Sequence, residues 1–272
     1  MKIDAHVHIT PPEISSNWEK YAQTEPYFSL LSNSRNNKFA SAEDVISAME
    51  KQKFDKAVVF GFAFRDIGLC AFVNDYVIEK VKEFSGKLIG FAVAPNDKKA
   101  EKEIERCYKA GLKGVGELFP EGQEITLDDT GAGYITDACK EYDLPLLLHA
   151  NEPVGHSYPG KSNVTLRQLE TFAANNPDLK IILAHFGGGL LFYETMKEIK
   201  EKFKNVYYDT AASPFLYDAG IFRAVKALGL CEKVLFGSDF PLLPPDRYFC
   251  DMEIAGFSEE EKKLILGKNA QR

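Results

Sequence analysis

Eight short apolar runs, each followed by a stretch with helical spacing, limit what this chain can fold into. They are KIDAHVHI from Lys2, KAVVFGF from Lys56, KLIGFAVA from Lys87, LKGVGELF from Leu112, PLLLHA from Pro145, KIILAHF from Lys180, NVYYDTA from Asn205 and KVLFGSD from Lys233. Near-continuous β-branched runs, rather than strict alternation, suit parallel strands covered on one side by helices. Between them, Ser41-Ala-Glu-Asp44 reads as a reciprocal N-terminal cap ahead of Val45 to Lys51. Asp97 to Ala110 places Ala100, Ile104, Cys107 and Tyr108 at helical spacing, and Gly111 stops it. Eight strand–helix units with right-handed crossovers predict an α/β fold, a closed (β/α)8 TIM barrel over residues 1–272 as one domain. An open doubly wound sheet is the competing topology. It would carry a glycine-rich phosphate turn after the first strand, and the sequence has none there.

Two connections exceed the roughly two to six residues usual in such units. Thr10 to Ala40 follows the first strand and holds Trp18, Tyr21, Tyr27 and Phe28; Phe240 to Phe257 follows the eighth and holds Pro241, Pro244 and Pro245. Both leave from strand C-terminal ends, the barrel face where sites form, so they are expected to wall a pocket. An inert insertion or a subunit contact is the alternative.

Charge narrows the partners. A net charge of −7 leaves no basic footprint for nucleic acid or an anionic membrane, and no apolar run is long enough to span a bilayer. The five cysteines are scattered and lack a CxxC, which reads as reduced thiols in a cytoplasmic protein. A small-molecule substrate and a homodimer are the expected partners.

The histidines are the informative residues. His6 and His8 are two of only five, and on a strand i and i+2 share a face. His149 ends the fifth run and His185 the sixth, Asp239 follows the eighth, and Glu117 lies in the fourth. Alternate residues of barrel strands point inward and their C-terminal ends converge on one mouth, so all six reach a common volume. Each alone reads as a packed histidine or a helix cap; together at one rim they read as metal ligands, because unpartnered buried imidazoles and carboxylates are costly. Imidazole with carboxylate suits Zn²⁺, with Mn²⁺, Fe²⁺ or Ni²⁺ as alternatives. A catalytic ion activates water for attack on an electrophilic carbon. Asp239 is the first choice to move that water's proton, with His185 as proton shuttle or oxyanion stabiliser.

Spread over the whole chain, IDAHVH, GVGEL, LLLHA, LAHFGG, FGSDFP and GKNAQR resemble the amidohydrolase superfamily, and within it the amidohydrolase-2 branch. The resemblance implies a metal-dependent TIM-barrel hydrolase of an amide, ester or lactone or, as in some branch members, a non-oxidative decarboxylase of an unsaturated or aromatic acid. It matches His6 and His8 to the paired strand-one ligands, His149 to the strand-five ligand, His185 to the strand-six histidine and Asp239 to the strand-eight acid. Glu117 resembles a bridging glutamate. With that bridge, His6, His8 and Asp239 would hold one ion and His149 with His185 a second; in single-metal members His149 joins the first site and His185 stays free.

Three further residues are candidate substrate contacts: Arg65 after the second strand, His156 in the loop after the fifth, and Trp18 in the first long excursion. Gly187-Gly188-Gly189 either offers backbone N–H groups to an anion or permits a tight turn. Asp209 is expected behind the ligands rather than among them. A phosphoesterase that also opens with HxH would need more histidines than this chain has. A non-catalytic binding barrel would leave the whole ligand set without purpose.

Overall fold

The computed structural model describes residues 1–127 and 132–272. Its strands β1 (Ile3–His8), β2 (Lys56–Phe60), β3 (Leu88–Gly90), β4 (Val115–Leu118), β5 (Leu146–Leu148), β6 (Ile181–Leu183), β7 (Val206–Asp209) and β8 (Val234–Leu235) each fall inside one of the eight apolar runs. They pair in parallel and in chain order, β1 to β3 and β4 to β8. Backbone hydrogen bonds close the two seams. The Ala92 N–H donates to the Gly114 carbonyl at 2.9 Å and the Gly116 N–H to Ala92 at 2.8 Å; the Ala5 N–H donates to Phe236 at 2.7 Å and the His8 N–H to Phe240 at 2.8 Å. The result is the (β/α)8 barrel.

The core has two layers, as strand alternation dictates. Ile3, Ala5, Val58, Phe60, Phe91, Leu147, Ile182 and Leu235 fill the barrel interior. Their neighbours Val7, Ala57, Val59, Leu146, Leu148, Ile181 and Leu183 face outward into the helical layer. On β1 the odd residues Ile3 and Ala5 point inward, yet so must the even His6 and His8 if both reach the mouth. The pairing register resolves this: Asp4 aligns with Ala57 but Val7 with Val59, so β1 carries one extra residue between them. β4 has the same irregularity, Val115 aligning with Leu146 and Leu118 with Leu148, and Glu117 sits in that stretch. A bulge re-aims side chains without breaking the strand, and here two bulged strands carry three of the candidate ligands.

The first excursion folds into three short helices, Pro12–Ser16, Trp18–Ala22 and Pro26–Ser32, and the last contains the helix Asp246–Ile254. The predicted cap is present: the Ser41 hydroxyl accepts the Asp44 N–H and the Asp44 carboxylate accepts the Ser41 N–H, opening Ala42–Gln52. The helix expected from Asp97 begins instead at Ala100, because the Asp97 carboxylate turns back to accept the Lys99 and Ala100 N–H groups. All five cysteines are free, and only Cys250 is exposed. Among the described residues no helix is long and apolar enough to cross a membrane.

Candidate metal centre

The strand ends bring all six sequence-predicted ligands together in two groups that share a carboxylate. His6, His8 and Asp239 form one; Glu117, His149 and His185 form the other. Glu117 faces both. Its Oε2 lies 3.4 Å from His6 Nε2 and 3.4 Å from His8 Nε2, and its Oε1 lies 3.0 Å from His149 Nδ1 and 3.4 Å from His185 Nε2. Asp239 Oδ1 completes the first group at 3.7 Å from His6 Nε2 and 3.5 Å from His8 Nε2.

Hydrogen bonds behind the site fix which atoms present lone pairs. A carbonyl or carboxylate oxygen only accepts, so the imidazole nitrogen against it carries the hydrogen. His6 Nδ1–H donates to Asp209 at 2.8 Å, His185 Nδ1–H to the Ala211 carbonyl at 2.9 Å, and His149 Nε2–H to the Gly160 carbonyl at 2.8 Å. The opposite nitrogens of these three rings, when neutral, therefore aim lone pairs at Glu117 and at one another. Asp209, expected behind the ligands, is found there.

Such a cluster demands positive charge, and the ionisation tendencies agree. Burial favours neutral carboxyls, but the charge of His6 and the facing imidazoles of His149 and His185 hold Glu117 well below the carboxylate range. Burial likewise raises Asp239, and His8 with the other imidazolium charges more than reverses it. Burial lowers the histidines; Asp209 and Glu117 nevertheless raise His6, and Glu117 raises His185 to about 9. His149 alone stays depressed, because burial there outweighs Glu117.

The two groups differ in what would satisfy them. In the first, His6 Nε2 is buried with no hydrogen-bond partner among the described residues. The donor separations there, 3.4 to 3.7 Å, are long for hydrogen bonds. They match the edges of a tetrahedron with bonds of about 2.0–2.2 Å, roughly 3.3–3.6 Å. The residues therefore fit a divalent ion. In the second group, His149 Nδ1 lies 3.0 Å from Glu117 Oε1 and 3.1 Å from His185 Nε2, spacings that a single shared proton can bridge.

Local backbone geometry aims these side chains. His185, Phe186 and Asp239 all have left-handed φ, at 55°, 55° and 60°, a conformation non-glycine residues hold at a cost and mostly at functional sites. Asp209 Oδ1 accepts the His185 and Ala211 N–H groups at 2.9 and 3.0 Å, which pins the turn. Gly188 serves close packing, since a Cβ there would lie 2.1 Å from the Asn151 carbonyl oxygen, and the Gly188 and Gly189 N–H groups donate to the His185 and Phe186 carbonyls. Gly237 on the β8 side is also required, since its Cβ would lie 2.6 Å from that of His6.

A cavity of about 340 Å³ opens above the donors, lined by His8, Glu117, His149, His185 and Asp239 at its floor. Its walls include Tyr27, Phe28, Phe62, Phe119, Phe215 and Leu242, so both long excursions contribute. His156 lines it as expected. Trp18 and Arg65 do not. Trp18 packs half-buried against the core, and Arg65 is occupied by Glu124 at 2.6 Å and by the Thr24 carbonyl. Reading the sequence for site residues overlooked Phe62 and Phe119, although each lies just beyond a strand end; their aromatic character read as core.

A family model described as amidohydrolase matches residues 3–272. A search of curated proteins found no match. Among solved structures, 5-carboxyvanillate decarboxylase from Sphingomonas paucimobilis superposes with a TM-score of 0.77 at 18% identity, covering 100% of this chain and 98% of that one. The Novosphingobium aromaticivorans 5-carboxyvanillate decarboxylase, complexed with manganese and 4-hydroxy-3-methoxy-5-nitrobenzoic acid, gives 0.76 at 17%, with 100% and 95% covered. A probable 2-pyrone-4,6-dicarboxylic acid hydrolase from Acinetobacter baumannii gives 0.70 at 16%, with 99% and 97% covered.

Proposed function

The chain belongs to the amidohydrolase family, and on that premise we propose that it is a divalent-metal-dependent, non-oxidative decarboxylase of an aromatic or unsaturated carboxylic acid. The observation that carries this reading is the difference between the two donor groups. The first has metal-ligand spacing around an orphaned imidazole nitrogen, and in the second His149 Nδ1 stands at proton-sharing distance from both Glu117 and His185. One ion and one poised proton are the requirements of protonating a carbon while its carboxylate departs.

In this assignment His6, His8, Glu117 and Asp239 would hold the ion, with Mn²⁺ and Zn²⁺ both compatible with the donors. The bound ion would supply charge stabilisation for the substrate carboxylate and for electron density that builds up as the bond breaks. His185 keeps a proton on Nε2 because its Nδ1–H is committed to Ala211 and Glu117 faces it. That proton passes to the ring carbon bearing the carboxylate; the C–C bond breaks and CO₂ leaves. His149, held neutral by burial, orients the proton by accepting at Nδ1. The aromatic walls exclude water and present faces to a planar ring. The solved decarboxylases of similar fold, one of them holding manganese and a benzoic acid, support the same substrate class.

A second reading rests on one specific observation, that Glu117 divides its two oxygens between the groups. If each group held an ion, the bridged pair would suit hydrolysis of an amide, ester or lactone. Asp239 would then take a proton from the attacking water and hand it to the leaving group. The test is to incubate manganese-loaded protein with a panel of hydroxybenzoic and alkoxybenzoic acids in D₂O. CO₂ release with one deuterium at the vacated ring carbon is expected. Turnover of lactones or amides without CO₂ would replace the proposal with the hydrolytic reading.

A further inference from the structure

Asp4 is a carboxylic acid on the apolar side of its strand. On β1, Ile3 and Ala5 fill the barrel interior and Val7 faces the helices. Asp4 is only 3% exposed and lies along a small cavity that it shares with Val45, Met49, Phe54 and Ala57. A carboxyl buried among such side chains is costly unless its oxygens are used.

Two backbone donors use it. Asp4 Oδ1 accepts the His6 N–H at 3.3 Å and the Ser238 N–H at 2.9 Å, the second from 234 residues along the chain. The first donor belongs to the bulge. Between Asp4 and Val7 the pairing of β1 with β2 slips by one residue, and a bulge leaves a backbone group without its ladder partner. The second donor immediately precedes Asp239, whose own N–H donates to the His6 carbonyl at 3.0 Å. Consecutive amides just past β8 therefore both end on β1, one on the Asp4 side chain and one on the His6 backbone.

Ser238 is held from its other sides as well. Its carbonyl accepts the hydroxyl of Tyr248, a fully buried residue of the helix Asp246–Ile254, and its Oγ accepts the Phe240 N–H at 3.0 Å. Asp239, between Ser238 and Phe240, takes a left-handed φ of 60°. Such a conformation persists only where the surroundings over-determine it.

Resting on the reading that His6 and Asp239 hold one ion, we infer that Asp4 and Tyr248 are positioning residues of the metal centre. Asp4 joins the amide freed by the β1 bulge to the amide before Asp239, so a single oxygen sets the first and last ligands against each other. Tyr248 fixes the same turn from the last excursion, whose Leu242 lines the main cavity. Neither residue is itself a ligand.

Manganese titration followed by electron paramagnetic resonance, on the native chain, Asp4→Asn, Asp4→Ala and Tyr248→Phe, tests this without requiring turnover. An amide oxygen can stand where Asp4 Oδ1 stands. Asp4→Asn should therefore stay within about threefold of native affinity, whereas Asp4→Ala should weaken it about 10- to 100-fold. Tyr248→Phe should lose about three- to tenfold, and Co²⁺ bound to either weakened variant should show an altered visible absorption spectrum. A role confined to packing would shift the unfolding midpoints but leave affinity and Co²⁺ spectrum native, and that result would overturn the inference. Equal losses in Asp4→Asn and Asp4→Ala would also overturn it, since charge rather than a placed acceptor would then be at work. If Asp4→Ala does not fold, Tyr248→Phe decides: weakened binding with a changed spectrum upholds the clamp, and native behaviour removes it. A native chain that binds no manganese removes the metal reading itself, whereas variants that match a metal-binding native chain remove this inference alone.

Discussion

Asp209 and His6 are joined at 2.8 Å, carboxylate Oδ2 to imidazole Nδ1, with both residues fully buried. Because the other Asp209 oxygen accepts the His185 N–H, one carboxylate sets the tautomer of the first donor group and the backbone turn of the second. Asp209→Asn keeps the shape but offers an amide in place of a charge. Metal affinity is expected to fall about 10- to 100-fold, as for other partners that orient ligands. Competitive titration against a metal-binding dye would measure it.

His185→Gln separates the proton from the metal. If the second donor group holds a proton, this variant should retain full metal content while kcat falls about 10²- to 10⁴-fold. Parallel elemental analysis and rate measurements decide the matter. Loss of half the bound metal would instead favour a two-ion site.

Gly237→Ala places a methyl against the Cβ of His6, which would lie at 2.6 Å. Neither backbone has room to retreat, since β1 and β8 are hydrogen-bonded through Ala5 and Phe236. Destabilisation of about 1–3 kcal/mol is expected from overpacking, together with reduced metal content. Denaturant unfolding and elemental analysis of the same preparation report the two effects.

Away from the site, Glu103 accepts from Asn74 at 2.8 Å and from Arg106 at 2.7 and 2.8 Å. Burial raises its pKa, but Arg106 and Asn74 outweigh that and hold it below the ordinary value of 4.5. A depressed carboxyl stabilises the fold above its unfolded pKa, and that contribution is lost as pH falls through the folded one. Glu103→Gln should therefore cost about 1–2 kcal/mol near neutrality. The difference from the native protein should shrink below about pH 4, as followed by urea unfolding across that range.

Much of this was legible in the sequence for physical reasons. Parallel strands need continuous apolar runs, so KAVVF and IIL declare themselves, and strand-end histidines stand out against such runs. His6 and His8 share a face because they are two apart. The bulge that aims them inward was not legible, since it depends on how Asp4 and Val7 pair with Ala57 and Val59. That Arg65 lies off the cavity lining was not legible either, since the partner that holds it, Glu124, is 59 residues away. Phe62 and Phe119 carried a usable signal in their position just past β2 and β4.

His6, His8, Glu117 and Asp239 together are proposed to bind one divalent ion. Elemental analysis of protein prepared with manganese and zinc supplied and without chelator, beside His8→Ala and Glu117→Gln, addresses it most directly. Close to one ion per native chain is expected, little in either variant, and loss of CO₂ release on chelation that returns when metal is restored. Native protein that takes up no metal on reconstitution, or variants that keep full metal content, would rule out this four-residue site.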